Sequence, residues 1–186
     1  AGGGLVRRAA AHGPVARGVA VTEIAAPPEA VFARVSAIEG YVGKLPMLAS
    51  LTVYEQGEAG AWVIKRARYT NRILPGYAYI NHLEHHINRR MKIMNFDLDT
   101  EKQNDFEAMS GRWFIEAHPN KPGWSRAYYQ VNLQFPRMMP GFVRGLLINQ
   151  GLSSATGWVK DECEGRSPSG LGTAGDAVAA IIGAIA

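Results

Sequence analysis

Cysteine occurs once in these 186 residues, at Cys163. An internal disulfide is therefore impossible, and no cysteine-based zinc site can form. Long apolar runs are missing as well: no stretch approaches the roughly 20 residues that span a bilayer as a helix. The chain has no Gly-x-Ser-x-Gly elbow, no Gly-x-Gly-x-x-Gly turn and no phosphate-binding loop, the usual sequence signs of hydrolase, dinucleotide and nucleotide chemistry. No nucleophile–base pair stands out, so no catalytic residue is assigned. Acids are absent before Glu23, whereas Arg7, Arg8 and Arg17 lie in that stretch. Arg-bearing, acid-free, Ala/Gly-rich composition resembles the remnant of an organelle transit peptide. The expectation is an organellar location, plastid or mitochondrion, after transit-peptide removal; the plainer alternative is a basic tail.

What is present suits one domain with a sizeable core. Hydrophobic residues make up 47%, and the net charge is +4. A mildly basic balance favours anionic surfaces weakly and makes no case for nucleic acid. Val19 and Val21 sit two apart, as on a strand. Pro27 and Pro28 follow, and Val31, Phe32, Val35 and Ile38 then fall at helical spacing. Pro fits the first helical turn, where its missing N–H would have no partner. A helix over 28–38 is predicted, with a second short helix or turn over 40–46.

A meander of strands comes next. The first holds Leu51 and Val53 and turns at 56–58. The others cover about 61–72, 77–88, 90–98 and 105–117. The cleanest alternation in the chain sets Tyr129, Val131, Leu133 and Phe135 against Tyr128, Gln130, Asn132 and Gln134, one face buried and one wet. A helix over about 140–162 closes the series, with Ile148, Leu152, Ala155 and Val159 as one apolar stripe. Gly145, Gly151 and Gly157 weaken it by about 1 kcal/mol each relative to Ala, so tertiary packing must hold it. The order predicts an α+β fold: a curved antiparallel sheet around a long C-terminal helix, with two short helices after the first strand. Residues 1–17 are assigned to a basic N-terminal extension, 18–163 to the domain, and 164–186 to a linker and apolar tail. Both tails are candidate contact elements for a partner.

Three groups of residues carry a resemblance. They are Ile24-Ala25-Ala26-Pro27-Pro28-Glu29-Ala30-Val31-Phe32 at the strand–helix junction, Gly111-Arg112-Trp113, and Ser125-Arg126-Ala127-Tyr128-Tyr129. With Pro136 and Pro140 before the long helix, they resemble the START-like helix-grip superfamily, in its polyketide cyclase and coenzyme-Q-binding branch. The resemblance spans about residues 18–163. It implies an apolar cavity between sheet and long helix that holds a lipid, quinone, isoprenoid or polyketide.

Cavity-lining positions follow from the expected inward faces. Trp62, Ile64, Met94 and Phe96 are assigned to the first half of the meander. Met109, Trp113, Tyr129, Val131 and Leu133 continue it, and Phe142, Leu146 and Leu147 face them from the helix. Such a lining is apolar with few polar groups, as ligand sites usually are. Two further clusters are weaker signals. His82, Glu84 and His86 alternate along one strand and could ligate zinc or iron, but no further ligand is indicated, and no metal or cofactor is expected. Lys65, Arg66, Arg68, Arg72, Arg89, Arg90 and Lys92 would form a basic patch for anionic headgroups or an acidic partner if their outer faces align. Three functions remain open: a non-catalytic holder or carrier of a hydrophobic small molecule, an accessory subunit of an organellar membrane complex, and a cyclase or dehydratase. A filled core favours the subunit. A cavity with a raised-pKa acid or a poised histidine favours the enzyme, and an open apolar cavity without one favours the carrier.

Overall fold

The computed structural model describes residues 6–12, 14–74 and 76–165, with side chains described from Pro14 onward except at 73, 74, 146 and 149–153. In chain order the elements are β1 (Val6–His12), β2 (Val15–Ile24), α1 (Pro28–Ser36), a 3-10 turn (Ile38–Tyr41), β3 (Leu48–Ala59), β4 (Trp62–Leu74), β5 (Tyr77–Asn88), β6 (Ile93–Leu98), β7 (Ala108–Ala117), β8 (Ser125–Gln134) and α2 (Gly141–Cys163). The eight strands form one curved antiparallel sheet in the order β1-β2-β8-β7-β6-β5-β4-β3. Helix α2 packs on β2, β8 and α1, and α1 packs on β7 and β8. This is the expected helix-grip α+β fold.

The extension assigned to residues 1–17 is a correction. Its Val6–His12 part pairs with β2, from Val6 opposite Val21 to His12 opposite Val15, and β2 itself starts at Val15. The inward residues of β2 are Ala16, Gly18, Ala20, Thr22 and Ile24. Small residues carry little hydrophobic signal, so the strand period was masked until Val19. The turn expected at 56–58 also moves. Gly57 lies inside β3 opposite Ile64, and the chain reverses at Gly60, whose φ of 60° suits glycine. The helix expected over 28–38 ends at Ser36. Of the assigned linker and tail, 166–186 lies outside the described residues.

The C-terminal half of α2 is tied to the β2–α1 junction by charge. Glu23 accepts from His118 Nε2 at 2.8 Å and Lys121 Nζ at 2.6 Å, with Arg126 at 3.5 Å. These donors, Lys121 first, hold its carboxyl down at about 2. Lys160 of α2 donates to the Glu23 carbonyl and, at 2.9 Å, to Glu164. Glu164 in turn accepts from the Ala25 N–H at 2.9 Å, and Ser125 Oγ donates to the Ala26 carbonyl at 2.5 Å. The Ala-Ala-Pro-Pro junction thus receives the end of the long helix. At the other end, Met139 and Val143 pack with Ala16, Tyr79 and Phe135.

Two kinds of glycine predict opposite outcomes. A Cβ on Gly145 or Gly157 of α2 would meet nothing within 4 Å. Gly145→Ala and Gly157→Ala should each stabilise the fold by about 0.5–1 kcal/mol in urea unfolding. A Cβ on Gly111 of β7 would lie 2.2 Å from the Phe96 ring and 2.5 Å from the Gln130 carbonyl oxygen. Gly111→Ala should destabilise by about 1–3 kcal/mol. A Gly111→Ala protein that melts like the parent would refute this close approach.

Candidate functional site

Strand alternation puts apolar rows on the concave side of the sheet, and α2 covers them without filling the space. A cavity of about 210 Å3 remains. An apolar cavity of about 150 Å3 is already enough to take up benzene. Met94, Phe96, Met109, Trp113, Tyr129, Val131 and Leu133 line it from β6, β7 and β8, with Leu147 from α2. These eight expected positions share one space. Aromatic contacts fix the wall: Trp113 and Tyr129 have ring centroids 4.7 Å apart, and Phe96 stacks on Tyr129 at 6.2 Å. Gly111 lies opposite Phe96 in the β6–β7 register. The Gly-x-Trp pattern is therefore a glycine that lets one ring lie over the backbone and a tryptophan beside it on the same face.

Four expected positions stand otherwise. Trp62 and Ile64 do not line the cavity. The buried, inward residues of β4 are Ala67 and Tyr69, so Trp62 and Ile64 share the convex face with Arg66 and Arg68. A one-residue error in parity moves a whole strand's set to the other face. Phe142 is 52% exposed. It sits one residue off the Val143–Leu147 row, about 100° around the helix. Leu146 falls on a side chain outside the described residues, as does Leu152 of the expected stripe.

The cavity also holds polar residues that the spacing did not reveal. Asn81 and His85 of β5 point inward beside Leu83 and are buried. His82, Glu84 and His86 take the opposite, convex face. There Arg66 donates to Glu84 at 2.5 Å, His86 lies 2.7 Å from the same carboxylate, and His82 Nδ1 is 3.1 Å from the Gln103 carbonyl. Among the described residues, no group of three His, Cys, Asp or Glu is placed to hold a metal ion. The inward parity was legible, because Leu83 and Ile87 share it with His85.

His85 Nδ1 lies 3.3 Å from the Lys65 carbonyl oxygen. A carbonyl only accepts, so Nδ1 carries the proton and Nε2 accepts from the Tyr69 hydroxyl at 3.0 Å. Burial pushes the imidazole down to about 4, against the pull of the Lys65 and Leu83 carbonyls. Burial raises the Tyr41, Tyr69 and Tyr129 hydroxyls well above the ordinary range. Among the described residues, no Asp or Glu lines the cavity, and Arg17 reaches its rim from the exposed face of β2. The interior is electrically neutral at physiological pH.

The basic patch is not one aligned face. Lys65 pairs with Glu39 at 2.5 Å on the concave side, and Lys92 pairs with Glu29 at 2.9 Å. Arg66 is bound by Glu84, Glu55 and Glu101, whereas Arg68 and Arg72 are exposed. Of the four tryptophans, Trp113 and Trp158 line the cavity.

The His85 shift has a sign that can be tested. Its pKa falls from 6.5 to about 4 on folding. Between those values the unfolded chain binds a proton that the native chain refuses. Stability is therefore full above pH 6.5 and falls as pH drops toward 4, by on the order of 3 kcal/mol across the window. The urea midpoint of His85→Gln should fall less between pH 7 and pH 4 than that of the parent. Parallel profiles would show that His85 is not buried neutral.

No protein-family model and no curated protein matches the sequence. Solved structures do. Zhui aromatase/cyclase from Streptomyces sp. R1128 is similar with a TM-score of 0.65 at 14% identity, over 86% of this chain and 99% of that one. A START superfamily protein from Mycobacterium smegmatis is similar with a TM-score of 0.63 at 17% identity, over 80% of this chain and 97% of that one. Ara h 8.0201 is similar with a TM-score of 0.55 at 18% identity, over 82% and 99% of the two chains. The fold is that of START-like proteins.

Proposed function

We propose that this START-like helix-grip chain holds a compact hydrophobic molecule between its sheet and α2, without chemical conversion. The observation that carries the reading is an apolar cavity whose one buried histidine is held neutral and which no carboxylate lines among the described residues. Apolar contact supplies the affinity, at about 0.8 kcal/mol per methylene removed from water. A base that titrates near 4 is a poor match for proton transfer at neutral pH, which argues against a cyclase or dehydratase. The space under α2 argues against a fold kept as a filled scaffold. An organellar location rests on the acid-free, Arg-bearing composition of residues 1–22 alone, of which 6–12 and 15–22 are strands of the sheet.

Native mass spectrometry of the gently purified protein should show one bound small molecule, released by organic extraction. Ala155→Leu, which narrows the cavity from α2, should lose that mass while keeping its circular dichroism. A parent protein that carries nothing and takes up no apolar probe would overturn the reading. Cell fractionation that finds the protein only in the cytosol would overturn the location.

A further inference from the structure

The tyrosine hydroxyls at the cavity are not equivalent. Tyr41 donates to the Val35 carbonyl at 2.5 Å, and Tyr69 donates to His85. Tyr129 has no hydrogen-bond partner among the described residues, although buried tyrosines usually find one. Its ring is fixed between Trp113 and Phe96, so it cannot swing out. It sits on the inward face of β8, a central strand covered by α2. The surface it still exposes is therefore cavity surface. Tyr129 lies close enough to Tyr69 and Tyr41 for a charge on it to perturb both. The three hydroxyls thus mark one polar end of a mostly apolar space. Its lining also holds Asn71, Tyr79, Asn81 and, on α2, the Ser154 Oγ, which is unpartnered among the described residues.

Hydrogen-bond accounting gives that end a chemical preference. The Tyr69 proton is committed to His85, whose remaining ring proton is committed to the Lys65 carbonyl. The Tyr129 proton is committed to nothing. An uncommitted donor in a water-poor space calls for an acceptor on the occupant. The occupant must also be uncharged: a carboxylate would be buried without a free cation, because His85 stays neutral, Lys65 is already paired with Glu39 at 2.5 Å, and Arg17 belongs to the exposed face of β2.

We infer that the Tyr129 hydroxyl is the donor that recognises the occupant, and that the occupant is a compact, uncharged molecule with a carbonyl-type acceptor oxygen at one end. This rests on the reading of the cavity as a binding site. It adds a polar selection that apolar contact alone does not provide.

Calorimetric titration with tetralin, 1-tetralone and the anion 1-naphthoate tests it on the parent and on Tyr129→Phe, which keeps the ring packing. On the parent, 1-tetralone should bind about three- to tenfold more tightly than tetralin, the range expected of one neutral hydrogen bond. 1-Naphthoate should bind no better than tetralin. On Tyr129→Phe the preference for the ketone should vanish while tetralin binds as before. Equal binding of ketone and hydrocarbon to the parent, or a preference that survives in Tyr129→Phe, would overturn the Tyr129 assignment and leave the cavity reading standing. Tighter binding of 1-naphthoate than of 1-tetralone would overturn the requirement for an uncharged occupant. Failure of all three to bind the parent would overturn both readings.

Discussion

Everything at the cavity depends on α2 being held at both ends while its middle bridges open space. A helix that includes Gly145, Gly151 and Gly157 has little stability of its own. It lies across the sheet because Lys160 and Glu164 reach the backbone around Glu23 and Ala25 at one end. At the other end Met139 and Val143 sink into a separate apolar cluster. Between the anchors, Ser154 and Ala155 approach the cavity with small side chains. The space is a result of where the helix is tied and of the small side chains at Ser154 and Ala155.

The same arrangement segregates charge. Strand periodicity turns the ion pairs of Arg66, Glu55, Glu84 and Glu101 to the convex side, where solvent screens them and each adds little to stability. The Glu23 cluster sits at the end of α2, where it adds an ionic anchor to the apolar packing of Trp158 and Val159. On the concave side the charged pair Lys65–Glu39 stays at the edge, and the cavity wall itself keeps neutral polar groups, of which Tyr69 and His85 hydrogen-bond each other. In that low-dielectric setting uncommitted hydroxyls such as those of Tyr129 and Ser154 matter more than a row of exposed arginines.

Most of the scaffold was legible before the structure. The 129–135 alternation became β8, the Pro27-Pro28 step became the entry to α1, and α2 lies within a residue of its expected limits. Legibility failed where residues are small or where both faces of a strand are mixed. Ala16, Gly18 and Ala20 gave no apolar period, so β1 and the start of β2 read as a tail. In β4, Trp62 and Ile64 are large and apolar yet outward, and Tyr69 and Ala67 are the inward set. In β5 the eye goes to His82, Glu84 and His86, whereas the imidazole that meets the cavity is the one between them. Hydrogen-bond commitment is a property of geometry, and the Tyr129 environment could not be read from spacing.

The small-residue face of β2 leaves the cavity with a thin wall. Ala16 and Gly18 both border the space, and their neighbours across the ladder, Leu133 and Val131, are already side chains of the same lining. A methyl added at Gly18 would subtract volume from the interior, whereas one at Ala16 would also press on the Met139–Val143 anchor of α2. The girth of the cavity is thus set in part by Gly18 of one strand, at a point separate from the tyrosine end and from the ionic clamp of α2.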